Sequence, residues 1–232
     1  MFVKNWPAVK LKKTVIIADL HIGIERKFWK NNITVPKQTK SLAKRVLTLI
    51  KNLKTKRMIV VGDVKDALYS KDFDKQELFY FFEKLKNYEI IIVKGNHDGN
   101  LEKELAQFTS IKVVPTFSID HILLTHGHKN ITKCSEQTVI IGHNHLGVKL
   151  KDALGGIFIE PCWVVGNIKI EGEKKKLIIM PPFNQLCGLT PVNNLEGGKL
   201  LGPIAKKIDI KAAKIYLVDG TYLGRLKDIE NQ

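Results

Sequence analysis

Five short aliphatic runs mark the first two-thirds of the chain: Val15-Ile16-Ile17, Met58-Ile59-Val60-Val61, Ile90-Ile91-Ile92-Val93, Ile122-Leu123-Leu124 and Val139-Ile140-Ile141. None is interrupted by a polar position. That is the pattern of a strand covered on both faces, not of one alternating between core and solvent. Between the first three runs the period changes. From Gln38 to Leu53, the residues Leu42, Val46, Leu49, Ile50 and Leu53 recur at helical spacing, opposite Lys40, Lys44, Arg45 and Lys51. From Gln76 to Lys86, Leu78, Phe81, Phe82 and Leu85 repeat the pattern. The first half therefore predicts β-α-β-α-β, an α/β arrangement around a largely parallel sheet.

Beyond about residue 110 the helical patterns thin out. Strand-like runs come in close succession at Ile111 to Val114, Ile157 to Glu160, Trp163 to Val165, Leu177 to Met180 and Ile215 to Val218. They predict a second, mostly antiparallel sheet packed on the first. Residues 181–203 are rich in proline and glycine and predict an ordered loop. Lys174-Lys175-Lys176 reads as a hairpin tip. There is no fixed-period repeat and no low-complexity tract, so residues 1–232 read as a single domain.

Composition narrows the class. The chain is 44% hydrophobic and 26% charged, as in an ordinary globular protein. No stretch approaches the ~20 apolar residues of a membrane span, and Met1 to Lys13 lacks the apolar core of a signal peptide. Cys134, Cys162 and Cys187 are odd in number, scattered and without a CxxC pairing. They read as reduced thiols of a cytoplasmic protein, which excludes a disulfide scaffold and a zinc knuckle. Thirty-eight Lys and Arg against 23 Asp and Glu give a net charge of +15. That balance favours polyanionic partners, nucleic acid among them, although lysines spread along the whole chain also suit a merely solvated surface. Nothing in the sequence specifies a homo-oligomer.

The chemistry lies just past the carboxyl end of each run. Asp19-Leu20-His21 is attached to the first, Gly62-Asp63 to the second and Gly95-Asn96-His97-Asp98 to the third; His126-Gly127-His128 is attached to the fourth and Gly142-His143-Asn144-His145 to the fifth. Of the 7 histidines, only His121 lies elsewhere; it reads as structural or solvent-facing. In open α/β sheets, sites assemble at the carboxyl ends of strands. If these ends converge, one crevice collects aspartates, an asparagine and histidines. Mixed oxygen and imidazole donors without thiolate suit Mn²⁺, Fe²⁺ or Zn²⁺ rather than Ca²⁺. The donors are too many for one ion. Two ions ~3.5–4 Å apart with a shared carboxylate would use them.

The order of motifs resembles the calcineurin-like metallophosphoesterase superfamily: Asp19-x-His21, Gly62-Asp63-x-x-Asp66, Gly95-Asn96-His97-Asp98, His126 and Gly142-His143-x-His145. Met180-Pro181-Pro182-Phe183-Asn184 and Gly188 to Asn193 add a resemblance to an archaeal branch related to the nuclease subunit of the SbcCD repair complex and to phosphoesterases encoded beside DNA ligases. The resemblance implies a four-layer α-β-β-α sandwich, two mixed sheets flanked by helices. It implies one ion on Asp19, His21, Asp63 and His145, and another on Asp63, Asn96, His126 and His143. The ions would be divalent transition metals, Mn²⁺ first, with Fe²⁺, Zn²⁺, Ni²⁺ or Co²⁺ as alternatives. Hydroxide between them would attack a phosphodiester, with His97 as general acid and Asp98 holding its imidazole. His128 would touch phosphate or be structural. Asn184 and Asn193 would line the rim or satisfy their own turns. The implied substrate is nucleic acid or a nucleotide-like diester. A phosphomonoester, a pyrophosphate-linked nucleotide, or a scaffold without catalysis are the alternatives. The double-strand-break nucleases usually carry histidine where this chain has Asp66, and they append a DNA-capping domain for which these 232 residues leave no room. The resemblance therefore implies phosphodiester chemistry and does not extend to processive exonuclease action.

Overall fold

A computed structural model describes residues 1–66, 72–194 and 200–229. The first sheet contains β1 (Val9–Leu11), β2 (Thr14–Ala18), β3 (Arg57–Val61), β4 (Glu89–Val93) and β5 (Ile111–Val114), in that spatial order. From β2 to β5 all pairings are parallel; β1 pairs antiparallel at the edge. The crossovers are α1 (Glu25–Lys30) with α2 (Thr39–Leu53), then α3 (Asp72–Lys84), then α4 (Leu101–Glu104).

The second sheet contains β6 (Phe117–Ile119), β7 (Ile122–Leu124), β8 (Thr138–Ile141), β9 (Leu146–Lys151), β10 (Ile157–Ile170), β11 (Glu173–Ile179), β12 (Thr190–Pro191), β13 (Lys214–Leu217) and β14 (Tyr222–Arg225). It is mixed. β8 runs parallel to both β7 and β11 in the middle, β12 runs parallel to β9, and the other joins are antiparallel. The two one-turn helices α5 (Gly202–Ala205) and α6 (Leu226–Ile229) lie against it.

The unbroken runs are explained by burial on both faces. In β2, Val15 and Ile17 pack under Leu42, Val46, Leu49, Phe81 and Phe82 of the helices. Their neighbours Ile16 and Ala18 meet Ile140, Trp163 and Ile178 of the second sheet. The far face of that sheet packs Val139, Ile141, Leu177 and Ile179 against Ile204, Ala205, Leu226 and Ile229. Three apolar layers thus separate helices, sheet, sheet and a thin outer layer of single turns, the four-layer sandwich. Sheet alternation assigns each strand residue to one layer or the next.

Two expectations need correction. Ile157 to Glu160 and Trp163 to Val165 are one strand of 14 residues, not two. β10 pairs with β9 up to Pro161 and with β13 and β11 beyond it. Proline, which donates no ladder hydrogen bond, sits at the change of partner. Lys174-Lys175-Lys176 lies within β11, and the reversal is made by Glu171 (φ 50°) and Gly172 (φ 82°). The 181–203 segment is ordered where described: Phe183 is fully buried and Thr190–Pro191 pairs with β9. Residues 195–199 lie outside the described residues.

Candidate metal centre

Parallel strands end at the same edge, so the loops after β2, β3 and β4 open side by side. β7 and β8 of the second sheet do the same. The two edges meet, and the five motif segments share one site. The turn into it is abrupt: Asp19 (φ 54°), His21 (40°), Asp63 (44°), His143 (72°) and His145 (45°) all adopt left-handed backbone. Non-glycine residues held there cost of order 1–3 kcal/mol each, and such residues gather at functional sites.

Asp63 lies at the centre, 2% exposed. Its carboxylate is 3.1 Å from His126 Nε2 and 3.7 Å from His21 Nε2. Ligand atoms of Asp19, His21 and Asp63 lie within 4.8 Å of one another, and so do those of Asp63, His126 and His143. Both groups contain Asp63. Asn96 Oδ1 is 3.1 Å from His126 Nε2, and His145 Nε2 is 3.2 Å from His21 Nε2. Buried ring nitrogens facing each other with carboxylates around them form a donor set suited to a cation, and divalent ions fit it.

Backbone and carboxylate oxygens fix the imidazoles. His21 Nδ1 is 3.1 Å from Asp66 Oδ1 and His126 Nδ1 is 3.2 Å from the Val61 carbonyl. In each ring Nε2 is left to face the cluster, the usual outer support of a metal-binding histidine. His97 Nδ1 is 2.5 Å from the Asp66 carbonyl oxygen, and its backbone N–H donates to Asp63.

Asp98 is a correction. It does not hold the His97 ring: its carboxylate accepts from the backbone N–H groups of Val64 (2.9 Å), Lys65 (3.3 Å) and Gly95 (2.8 Å). It staples the β3 loop to the β4 loop, and the imidazole is held by Asp66 instead. Asp66 has no role in the motif taken by itself, yet it supports both His21 and His97 and takes Lys27 Nζ at 2.7 Å. Its only sequence signal is the three-residue offset from Asp63. His128 stands near His126 and His143, with Nδ1 buried and without a hydrogen-bond partner among the described residues. His121 is exposed in the β6–β7 turn, away from the site. Asn184 donates to the Leu20 carbonyl, and Asn193 bonds both ways with the Lys149 backbone. Cys187 lies beside His21 and His145.

Charge is set by this geometry. Burial works against ionisation of Asp63, but the His126 hydrogen bond and the nearby His126 and His21 hold its carboxyl below the usual range. Asp19 is likewise lowered, with burial outweighed by His145 and His126. Burial alone would make His126 neutral; its bond to Asp63 and the charges of Asp19 and Asp63 instead raise it to about 9. Burial and the His126 charge lower His143 and His128 to about 4. Burial raises Asp98 to about 6 against its amide donors.

With its pKa raised to about 9, His126 is protonated at neutral pH, and a cation taken up through its Nε2 would displace that proton. Metal addition at pH 7 is expected to release protons, and apparent affinity to rise up to tenfold per pH unit below about pH 9. The metal-free fold behaves oppositely. Its pKa is raised from 6.5, so the His126 contribution is complete below pH 6.5 and lost as pH rises through 9. Titration in a weakly buffered indicator dye checks this; metal uptake without proton release contradicts it.

Glycines keep the centre tight. A Cβ on Gly95 would lie 2.1 Å from Asp63 Oδ1 and 2.2 Å from the Asp63 backbone nitrogen. Gly95→Ala is expected to lower stability by about 1–3 kcal/mol and to abolish the rise in melting temperature on metal addition. Differential scanning calorimetry with and without Mn²⁺ measures both.

Among curated proteins none matches the chain. In solved structures, a Pseudomonas putida nuclease MPE shares the fold, with 19% identity, coverage of 94% of this chain and 91% of that one, and a TM-score of 0.64. A protein of unknown function from Aquifex aeolicus is 18% identical over 57% of this chain and 78% of its own, with a TM-score of 0.38. Among the described residues no helix is long and apolar enough to cross a membrane. The family model of the calcineurin-like phosphoesterase superfamily domain matches residues 13–180, which contain both candidate donor groups built on Asp63, and the chain belongs to that superfamily.

Proposed function

We propose that the protein is a metal-dependent phosphodiesterase acting on nucleic acid or a nucleotide-like diester. The observation that carries the metal chemistry is Asp63, shared by two donor groups. Asp19, His21, Asp63 and His145 would hold one divalent ion, and Asp63, Asn96, His126 and His143 the other. When bound, the ions lower the pKa of water and neutralise charge on the phosphoryl oxygens. The chain supplies the rest. Asp66 and Val61 keep His21 and His126 in the tautomer that presents Nε2. Asp66 also orients His97, whose Nε2 would give a proton to the departing oxygen. Asp98 keeps the two loops carrying Asp63 and Asn96 in register. The net charge of +15 supports a polyanionic substrate.

The test is hydrolysis of bis-p-nitrophenyl phosphate, p-nitrophenyl phosphate and single-stranded DNA or RNA with Mn²⁺, Fe²⁺, Zn²⁺, Ni²⁺ or Co²⁺. We expect diester turnover that needs metal, and nucleic-acid binding that weakens steeply with salt. Turnover of the monoester alone sinks the diester reading; salt-insensitive binding sinks the nucleic-acid reading.

A further inference from the structure

The three cysteines are not equivalent. Cys162 is fully buried with Val164 and Ile215 in the outer aliphatic core. Cys134 lies within 3.5 Å of the Glu136 backbone carbonyl and carboxylate oxygens. Cys187 is 5% exposed, and its Sγ lies within 4.8 Å of the ligand atoms of His21 and His145. No hydrogen bond engages that thiol among the described residues.

Its position is built, not incidental. The Phe183 N–H donates to the Ala18 carbonyl at 2.8 Å, and the Asn184 N–H to the Asp19 carbonyl at 3.3 Å. Asn184 Nδ2 donates to the Leu20 carbonyl at 2.8 Å, and Arg45 Nη1 grips the Phe183 carbonyl at 2.8 Å. Within the turn, the Cys187 N–H donates to the Asn184 carbonyl and the Leu186 N–H to Asn184 Oδ1. The segment carrying Cys187 is therefore bonded to the segment carrying Asp19 and His21. Nitrogen and sulfur donors facing each other across one ion stand at most ~4.4 Å apart. A spacing of at most 4.8 Å reaches that limit with a closing movement of the side chains.

We propose that Cys187 Sγ is an additional ligand of the ion held by Asp19, His21 and His145. The proposal rests on the two-ion reading above. A thiolate is softer than the oxygens of the second position, so the first position would prefer Zn²⁺, Fe²⁺ or Co²⁺ over Mn²⁺. The two positions would then differ in metal preference although they share Asp63. The expectation of a site without thiolate would be replaced.

Co²⁺-loaded protein tests this by absorption and by bound cobalt per chain. We expect a near-ultraviolet thiolate-to-cobalt charge-transfer band that is lost in Cys187→Ser and kept in Cys134→Ser. Zn²⁺ affinity in Cys187→Ser should fall at least on the order of 10-fold, while circular dichroism stays unchanged. Two cobalt ions per chain without the band, or with a band that survives Cys187→Ser, overturn the ligand and leave the two-ion reading intact; one ion per chain without the band overturns both. A band with one ion per chain supports the ligand and overturns the two-ion reading. Absence of cobalt binding overturns both.

Discussion

Asp63→Ala should lower diester turnover by on the order of 10³-fold or more, a loss of about 4 kcal/mol or more of transition-state stabilisation. Among the described residues no other side chain belongs to both donor groups. Its removal leaves His21 and His126 without the charge that separates two cations, so both ions should weaken together. Elemental analysis should find fewer than two ions per chain, and bis-p-nitrophenyl phosphate hydrolysis should fall with them. The same variant should not collapse the metal-free fold. It removes a left-handed aspartate (φ 44°) and a buried carboxylate rather than an apolar contact. Undiminished turnover in Asp63→Ala would remove the basis of the proposed mechanism. An unfolded variant would mean that Asp63 serves the fold first.

His97→Ala should act on the leaving group. The ring is anchored through Nδ1 to the Asp66 carbonyl and its backbone to Asp63, so Nε2 is the free end. If it protonates the departing oxygen, substrates that release an alkoxide should slow by ~10²–10⁴-fold. Those that release p-nitrophenolate, which leaves readily as an anion, should slow much less. Comparing an alkyl with a p-nitrophenyl diester therefore reads the role directly. Equal losses on both would mean that His97 stabilises phosphoryl charge instead. Metal content should be unchanged, because His97 is not in either donor group that contains Asp63.

Much of this was legible in the chain. The runs from Val15 to Ile141 became strands because burial on both faces leaves no room for polar interruptions. Leu42 to Leu53 and Leu78 to Phe82 became helices because an apolar stripe at period 3.6 needs a sheet to lie on. The donors were visible because each comes directly after such a run. Less was legible where pairing decides structure. The 14-residue β10 read as two strands because Pro161 divides it, and the single-turn α5 and α6 are too short to show a period.

Sequence by itself therefore determined the five aliphatic strands, the two long helices and the five motif segments, since each depends on neighbours a few residues apart, and the basic charge by composition. Tertiary structure alone decided who holds whom. Asp98 bonds amides up to 34 residues away, Asp66 meets His21 at a separation of 45, and Asn184 ties Cys187's turn to Leu20 across 164. Such partners are chosen by which loops the two sheets bring together, and a hydrogen bond, acting over about 3 Å, leaves no period in the chain to read.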